Sequence, residues 1–115
     1  MTKLLGLLAI PFLALPAVAA PTTVHASWYG PGFHGRTTAN GERYNQWGLT
    51  AAHKTLPFGT RLRVCNVWNK QCVNVRINDR GPFIPGRDLD LSRGAADAIN
   101  MTSAGVAPVT YTFID

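Results

Sequence analysis

From Val24 onward, short runs with alternating apolar and polar residues are separated by clusters of glycine, proline and asparagine. Such alternation over four to eight residues is typical of a strand with one buried face. Strands are predicted in this way at 24–29, 49–53, 60–67, 72–78, 89–91 and 106–114. The pattern predicts a mainly β domain that resembles a small barrel.

The segments at 60–67 and 72–78 form a predicted β-hairpin, and Cys65 and Cys72 flank its polar tip. We expect a cross-strand disulfide between them, which an exported protein permits. A zinc site is disfavoured because no histidine pair lies near the two cysteines, and His25 and His34 lack partners at metal-ligand spacing. A nucleophilic thiol would need an electropositive pocket, which a hairpin tip rarely provides. We therefore expect no metal and no cofactor.

Between the strands, one helix and one long loop are predicted. Ser92 is placed to cap a helix that runs to about Asn100, and Gly105 ends this unit. The segment at 30–45 is a glycine-rich loop with little periodicity. The aromatic residues Trp28 and Phe58 are assigned to the core.

Residues 1–20 have the three parts of a secretory signal peptide. A lysine at position 3 precedes an apolar run, broken by prolines, that ends in small residues. No cysteine near the cleavage point could accept a lipid, so we expect no membrane anchor. The sequence predicts an exported protein, periplasmic or secreted and soluble, with residues 21–115 as a single domain that acts as a monomer.

The charge of the exported domain excludes one class of partner. Loss of Lys3 with the signal peptide leaves a net charge of +4, spread along the chain without a lysine or arginine run. Binding to nucleic acid usually needs a basic patch, so we expect none. A mildly basic surface would instead favour encounter with an anionic cell envelope.

Carboxylates are few in this chain, and two of them occupy informative places. The side-chain acids are Glu42, Asp79, Asp88, Asp90, Asp97 and Asp115. In the stretch INDRGPFIPGRDLDLSR, two of these acids end or occupy predicted strands that a Gly/Pro-rich loop joins. A rigid strand end beside an open loop can hold an acid against a substrate, so these two are the first candidates for acid–base chemistry.

Four motifs, in order, resemble those of a known family. They are ASWYGPGFHGRTTANGERYN, LTAAHKTLPFGTRLRV, VRINDRGPF and GRDLDLSRGAADAI, and they resemble the rare-lipoprotein-A type of septal ring lytic transglycosylases. The resemblance covers essentially all of the chain after Ala26. It implies a six-stranded double-psi β-barrel with one or two short helices. It also implies cleavage of peptidoglycan glycan strands between MurNAc and GlcNAc, leaving 1,6-anhydroMurNAc ends.

Three acids match motif positions of that family: Glu42, Asp79 and Asp90. Lytic cleavage needs one carboxyl group that is protonated near neutral pH and then acts as a base. Asp79 is the first candidate for this role and Asp90 the second, while Glu42 could stabilise positive charge or be the acid if its loop closes. Each also has a structural interpretation: Asp79 as a turn residue, Asp90 as a helix cap and Glu42 as a solvated loop charge.

The substrate-binding candidates are His53, Tyr29, Asn40 and Arg80. His53 matches a family position and could bond an acid or a sugar, or could be a satisfied, partly buried histidine. Tyr29 offers a flat apolar face to a sugar ring. Arg80, next to Asp79, would lower that acid's pKa if it pointed at the carboxylate.

Two departures from the family leave other functions open. The chain has no lipidation cysteine and no glycan-binding repeat domain after the barrel. It could therefore be an expansin-like module that binds or loosens wall polysaccharide without cutting it. A third possibility is a small defence or signalling protein of the barwin type, although that class generally carries more disulfides.

Overall fold

Six strands close into a barrel in the computed structural model, which describes residues 21–115; the predicted signal peptide at 1–20 lies outside the described residues. The order around the barrel is β1, β5, β2, β4, β3, β6. The strands are β1 (Thr22–Trp28), β2 (Thr50–Ala52), β3 (Arg61–Asn66), β4 (Cys72–Asp79), β5 (Leu89–Leu91) and β6 (Val106–Ile114). The mainly β prediction is confirmed, and every predicted strand is present with ends displaced by at most two residues.

The hairpin and its disulfide are as the sequence predicts. Strands β3 and β4 pair antiparallel, with Cys65 directly opposite Cys72, and the two residues are disulfide-bonded. Alternate residues of both strands point into the barrel. The core that they form with β5, β6 and the segment that follows β5 includes Leu62, Val64, Val75, Ile77, Leu89, Leu91, Ile99 and Val109.

Two short helical segments accompany the barrel: a 3-10 turn (Pro31–Phe33) and helix α1 (Arg93–Ala98). Ser92 caps α1 as predicted, because its Oγ accepts a hydrogen bond from the backbone N–H of Ala95. A Cβ atom at Gly94 would lie 2.6 Å from the carbonyl oxygen of Trp47. Only glycine therefore allows the helix to approach the 47–48 backbone this closely.

The structure corrects one core assignment. Trp28 packs against the core as expected. Phe58 does not, because it lies after β2 on the surface and 42% of it is exposed. Within residues 21–115, the helices are too short or too polar to cross a membrane.

Candidate active site

The two strand acids lie in one row across the outer face of the barrel. Ala52 of β2 pairs with Asp90 of β5 on one side and with Asp79 of β4 on the other. Leu89 and Leu91 are fully buried in the core, so Asp90 between them points away from it. Since neighbouring strands are about 4.8 Å apart, the backbones of the two acids are separated by roughly 10 Å.

Both acids line a single pocket of about 260 Å³. The barrel and its strand ends contribute Tyr29, Ala52, Asp79, Arg80 and Asp90. The glycine-rich loop, which covers this face, contributes Phe33, Arg36, Thr37, Thr38 and Tyr44. Two acids and two arginines therefore share the pocket with three aromatic rings.

Asp90 has the electrostatic character of a general acid. Ser27, its neighbour on β1, donates a hydrogen bond from Oγ to Asp90 Oδ1 over 3.2 Å. Burial raises the pKa of Asp90 from 3.8 to about 6, and the charge of Asp79 adds to that effect. The Ser27 hydroxyl and Arg87 act in the opposite direction and hold the pKa down. Asp90 therefore keeps its proton to a higher pH than an exposed aspartate does.

Asp79 is fixed by the backbone. Its Oδ1 accepts hydrogen bonds, each 2.9 Å long, from the N–H groups of Ala39 and Arg80. Ala39 lies on the covering loop, 40 residues away in sequence. Asp79 therefore both lines the pocket and ties the loop to the end of β4.

Glu42 is held in an ion pair outside the group of residues that line the pocket. Its Oε1 and Oε2 accept hydrogen bonds from Nη2 and Nη1 of Arg76 at 2.8 and 3.1 Å. Asn78 Nδ2 donates a further bond to Oε1 over 2.7 Å. The hydrogen bonds from Arg76 and then Asn78 lower the pKa of Glu42 to about 2. Glu42 is therefore ionised and anchors its loop to β4.

Asn40 belongs to the same loop and is also engaged within it. Its Oδ1 accepts hydrogen bonds from Thr38 Oγ1 at 2.6 Å and from the N–H of Glu42 at 3.2 Å. Its own N–H donates to the carbonyl of Asn78 on β4. Asn40 is exposed and does not line the pocket; its bonds shape the turn that carries Glu42.

His53 lies just after β2 and organises the turn that follows. Its Nδ1 accepts hydrogen bonds from the N–H groups of Thr55 and Leu56, both at 3.0 Å. With Nδ1 accepting, the neutral ring carries its proton on Nε2. Burial lowers the pKa of His53, which favours this neutral form. His53 is not among the residues that line the pocket.

Arg80 connects the pocket with this turn. Its Nη1 donates to the carbonyl oxygens of Leu56 at 2.9 Å and His53 at 3.3 Å. Its guanidinium lies 3.9 Å from the centre of the Phe58 ring, a cation–π contact. The side chain is thus directed to an aromatic face and to backbone carbonyls, including that of Asp79 at 3.5 Å, while the Asp79 carboxylate accepts from the Arg80 backbone N–H.

Tyr29 forms an aromatic wall of the pocket. Its ring stacks on Tyr44 with 4.4 Å between centroids and meets Phe33 edge-on at 5.9 Å. Burial, followed by the negative charge of Asp79, raises the pKa of Tyr29, so its hydroxyl stays protonated. That hydroxyl is buried without a hydrogen-bond partner among the described residues. Among the described residues, the Thr50 side chain lies close enough to this hydroxyl to oppose the rise in pKa.

The structure brings together four of the predicted site residues and places three outside the pocket. Asp79, Asp90, Tyr29 and Arg80 line it, whereas Glu42, His53 and Asn40 support the segments around it. Sequence reasoning missed the supporting partners Ser27, Arg76 and Asn78. These residues lie 34 to 63 positions from the acids that they contact, and no local motif links them.

The described residues contain no group of three or more His, Cys, Asp or Glu side chains that could hold a metal ion. What the pocket offers is an acid with a raised pKa, a second carboxylate and an aromatic wall. Such a set can transfer protons to and from a sugar oxygen without a cofactor.

A family model described as "Lytic transglycolase" matches residues 22–111. The chain belongs to this family. The match spans all strands of the barrel except the end of β6, and it includes every residue of the pocket.

Several curated relatives are closely similar to the chain. A protein of Synechocystis named "Probable endolytic peptidoglycan transglycosylase RlpA" is 55% identical and covers 90% of the chain and 37% of its own length. The "Endolytic peptidoglycan transglycosylase RlpA" of Campylobacter jejuni is 63% identical and covers 77% of the chain and 32% of its own length. The chain thus spans about a third of the length of these relatives.

Solved structures with the same fold include a bacterial expansin. The apo expansin of Clavibacter michiganensis has a TM-score of 0.66 at 24% identity, over 84% of this chain and 51% of that one. A Streptomyces papain inhibitor has a TM-score of 0.65 at 20% identity, over 85% of this chain and 97% of that one. At these identities the similarity concerns the fold alone.

Proposed function

We propose that residues 21–115 form a peptidoglycan lytic transglycosylase, which cleaves glycan strands between MurNAc and GlcNAc and leaves 1,6-anhydroMurNAc ends. Membership of the lytic transglycolase family and the names of the curated relatives support this activity. The observation that carries it is the position of Asp90, a carboxyl with its pKa raised to about 6 inside a pocket that also holds Asp79.

Asp90 is proposed as the single acid–base group. Its carboxyl proton passes to the glycosidic oxygen as the bond from the muramyl C1 to that oxygen breaks. The resulting carboxylate takes the proton of the muramyl C6 hydroxyl, whose oxygen forms the new bond to C1. The proton returns to Asp90 and no water is consumed. A pKa near 6 suits a group that must both donate and accept a proton.

Asp79 is proposed to stabilise the positive charge that develops at C1. Two backbone N–H groups hold its Oδ1 in place, and a preorganised charge of this kind acts without further rearrangement. This assignment reverses the order expected from the sequence, where Asp79 was the first candidate for the acid. The reason is electrostatic, since burial and the raised pKa belong to Asp90.

The remaining predicted site residues are proposed either to bind the substrate or to hold the segments around the pocket in position. Tyr29 presents its aromatic ring to a sugar. Arg80 lines the same pocket. Glu42 and Asn40 shape the covering loop, and His53 fixes the turn after β2 on which Arg80 rests.

Incubation of residues 21–115 with purified peptidoglycan tests the proposal, with Asp90→Asn as the matched control. We expect soluble glycan fragments from the wild type and none from the variant, with both proteins folded. Glycan that the wild type binds but leaves uncut would favour the expansin-like alternative, in which the same face holds polysaccharide without chemistry.

We also propose that the domain works outside the cytoplasm as a monomer. Its substrate lies in the cell wall, the signal-peptide pattern of residues 1–20 supports export, and the cross-strand disulfide suits an oxidising compartment.

A further inference from the structure

A solvent-exposed apolar segment begins four residues after Asp79. Phe83 is 77% exposed and Ile84 is 50% exposed, in the loop between β4 and β5. Exposed apolar groups that lie together beside a pocket mark a place where another molecule binds. We call Phe58, Arg80, Phe83 and Ile84 together the Phe83 surface.

The loop that carries Phe83 is ordered by its own contacts. Gly81 has φ of +117°, and a Cβ there would lie 3.4 Å from the Phe83 ring, so the ring rests against the Gly81 backbone. The N–H of Arg87 donates to the carbonyl of Ile84 and closes the turn. Phe83 is thus held outward at a defined place beside the acids.

Arg80 makes this surface continuous with the pocket. It lines the pocket, and its guanidinium lies over Phe58, which is itself exposed. Neither of the two ion pairs found within residues 21–115 involves Arg80. Its remaining N–H groups can therefore donate to a ligand that spans both areas.

The pocket alone is too small for a polymer. Its volume of about 260 Å³ is below the roughly 300 to 1,000 Å³ typical of sites for drug-sized ligands. The sugars of a glycan strand that do not fit in the pocket must therefore lie on the protein surface beside the acids.

We propose that the Phe83 surface is a second sugar-binding site, which holds the residues of a glycan strand next to the one in the pocket. This inference rests on the proposed function for the identity of the polymer. The apolar face of a sugar ring packs on Phe83, and Arg80 donates hydrogen bonds to its oxygens. The Phe83 surface binds sugars and takes no part in proton transfer, so it should raise the affinity of the protein for long glycan strands.

Phe83→Ala and Phe113→Ala form a matched pair for the test. Phe113 is 63% exposed on β6 and does not line the pocket. Co-sedimentation with insoluble, peptide-stripped glycan measures binding, and fragment release from long strands measures KM and kcat. We expect Phe83→Ala to weaken binding and raise KM about tenfold with kcat unchanged, and Phe113→Ala to resemble the wild type.

The readouts separate failure of this inference from failure of the proposed function. If the wild type binds glycan and Phe83→Ala binds equally well, the second site is wrong, whether or not cleavage occurs. If the wild type binds glycan without cutting it and Phe83→Ala weakens that binding, the second sugar-binding site is supported and the proposed transglycosylase activity is contradicted. A wild type that neither binds nor cuts glycan contradicts both. A Phe83→Ala variant that loses adsorption to anionic lipid vesicles but keeps glycan binding would show a membrane-binding surface instead.

Discussion

At the scale of single residues, the buried position of Asp90 lowers the stability of the folded chain when its carboxyl group is ionised. Raising its pKa from 3.8 to about 6 corresponds to a cost of about 3 kcal/mol when the group is ionised. The folded state binds the proton more tightly than the unfolded state. This cost is therefore absent below pH 4, grows as pH rises towards 6 and is complete above it. A penalty of this size is typical of a functional site.

Asp90→Asn should therefore separate activity from stability. We expect the variant to lose cleavage, because the amide cannot donate and then accept the proton. It should also be more stable than the wild type above pH 6, by up to about 3 kcal/mol, and equal to it below pH 4. Chemical denaturation at several pH values measures this. An inactive variant whose stability matches the wild type at every pH would contradict a buried, raised-pKa carboxyl.

Glu42 shows why a motif position does not by itself give a role. Its carboxylate is paired with Arg76 and Asn78, with its pKa lowered to about 2. The pairing stabilises the fold above the ordinary pKa of 4.5 and is lost as pH falls through 2. Glu42 therefore positions the covering loop at neutral pH, and a proton donor is needed elsewhere.

A reversal of this ion pair tests that positioning role. We expect Glu42→Arg and Arg76→Glu each to lower kcat about tenfold or more, because the loop that contacts Asp79 loses its anchor. The double variant should recover much of the activity. The buried Asn78 Oδ1 lacks a partner among the described residues, so a rotated amide can accept a bond from the new arginine. If Glu42 took part in the chemistry, the double variant would remain inactive.

At the scale of elements, the sequence predicts strands well and loops poorly. Alternation of residues such as Val73, Val75 and Ile77 identifies β4, and Ser92 marks the start of α1. No local pattern shows that Ala52 lies between Asp79 and Asp90, since this follows from the parallel pairing of β2 with β4 and the antiparallel pairing of β2 with β5.

The dependence on pairing between distant strands also explains why the sequence does not reveal the surface position of Phe58 or the contact of Ser27 with Asp90. An aromatic residue such as Phe58 is expected in the core, yet its ring lies on the surface with the Arg80 side chain over one face. Ser27 is one of several small polar residues in β1, and only strand pairing brings it to Asp90. Contacts between distant segments require the barrel to be closed before they can be recognised.

The stabilising role of the disulfide in the β3–β4 hairpin is easily tested. Closing the short loop between Cys65 and Cys72 contributes at most about 2.5 kcal/mol in the chain-entropy model. Reduction should lower Tm by on the order of 10 °C, while activity persists below the new transition because the hairpin tip is remote from the pocket residues. Thermal denaturation with and without reductant measures this. An unchanged Tm would contradict the stabilising role.

At the scale of the whole molecule, the barrel supplies a rigid frame and one loop supplies the cover. The acids sit on strands, whereas Phe33, Arg36 and Tyr44 come from the loop. The positive charge of the chain favours encounter with an anionic wall, and its effect should fall as salt rises. These properties fit a small domain that works on an immobile polymer.

Asp90 is proposed to catalyse strand cleavage without water as the nucleophile. The most direct test is mass spectrometry of the fragments that residues 21–115 release from peptide-stripped glycan in H₂¹⁸O. We predict 1,6-anhydromuramyl ends that contain no ¹⁸O, and no fragments from Asp90→Asn. Reducing ends labelled with ¹⁸O would show hydrolysis and contradict this role of Asp90.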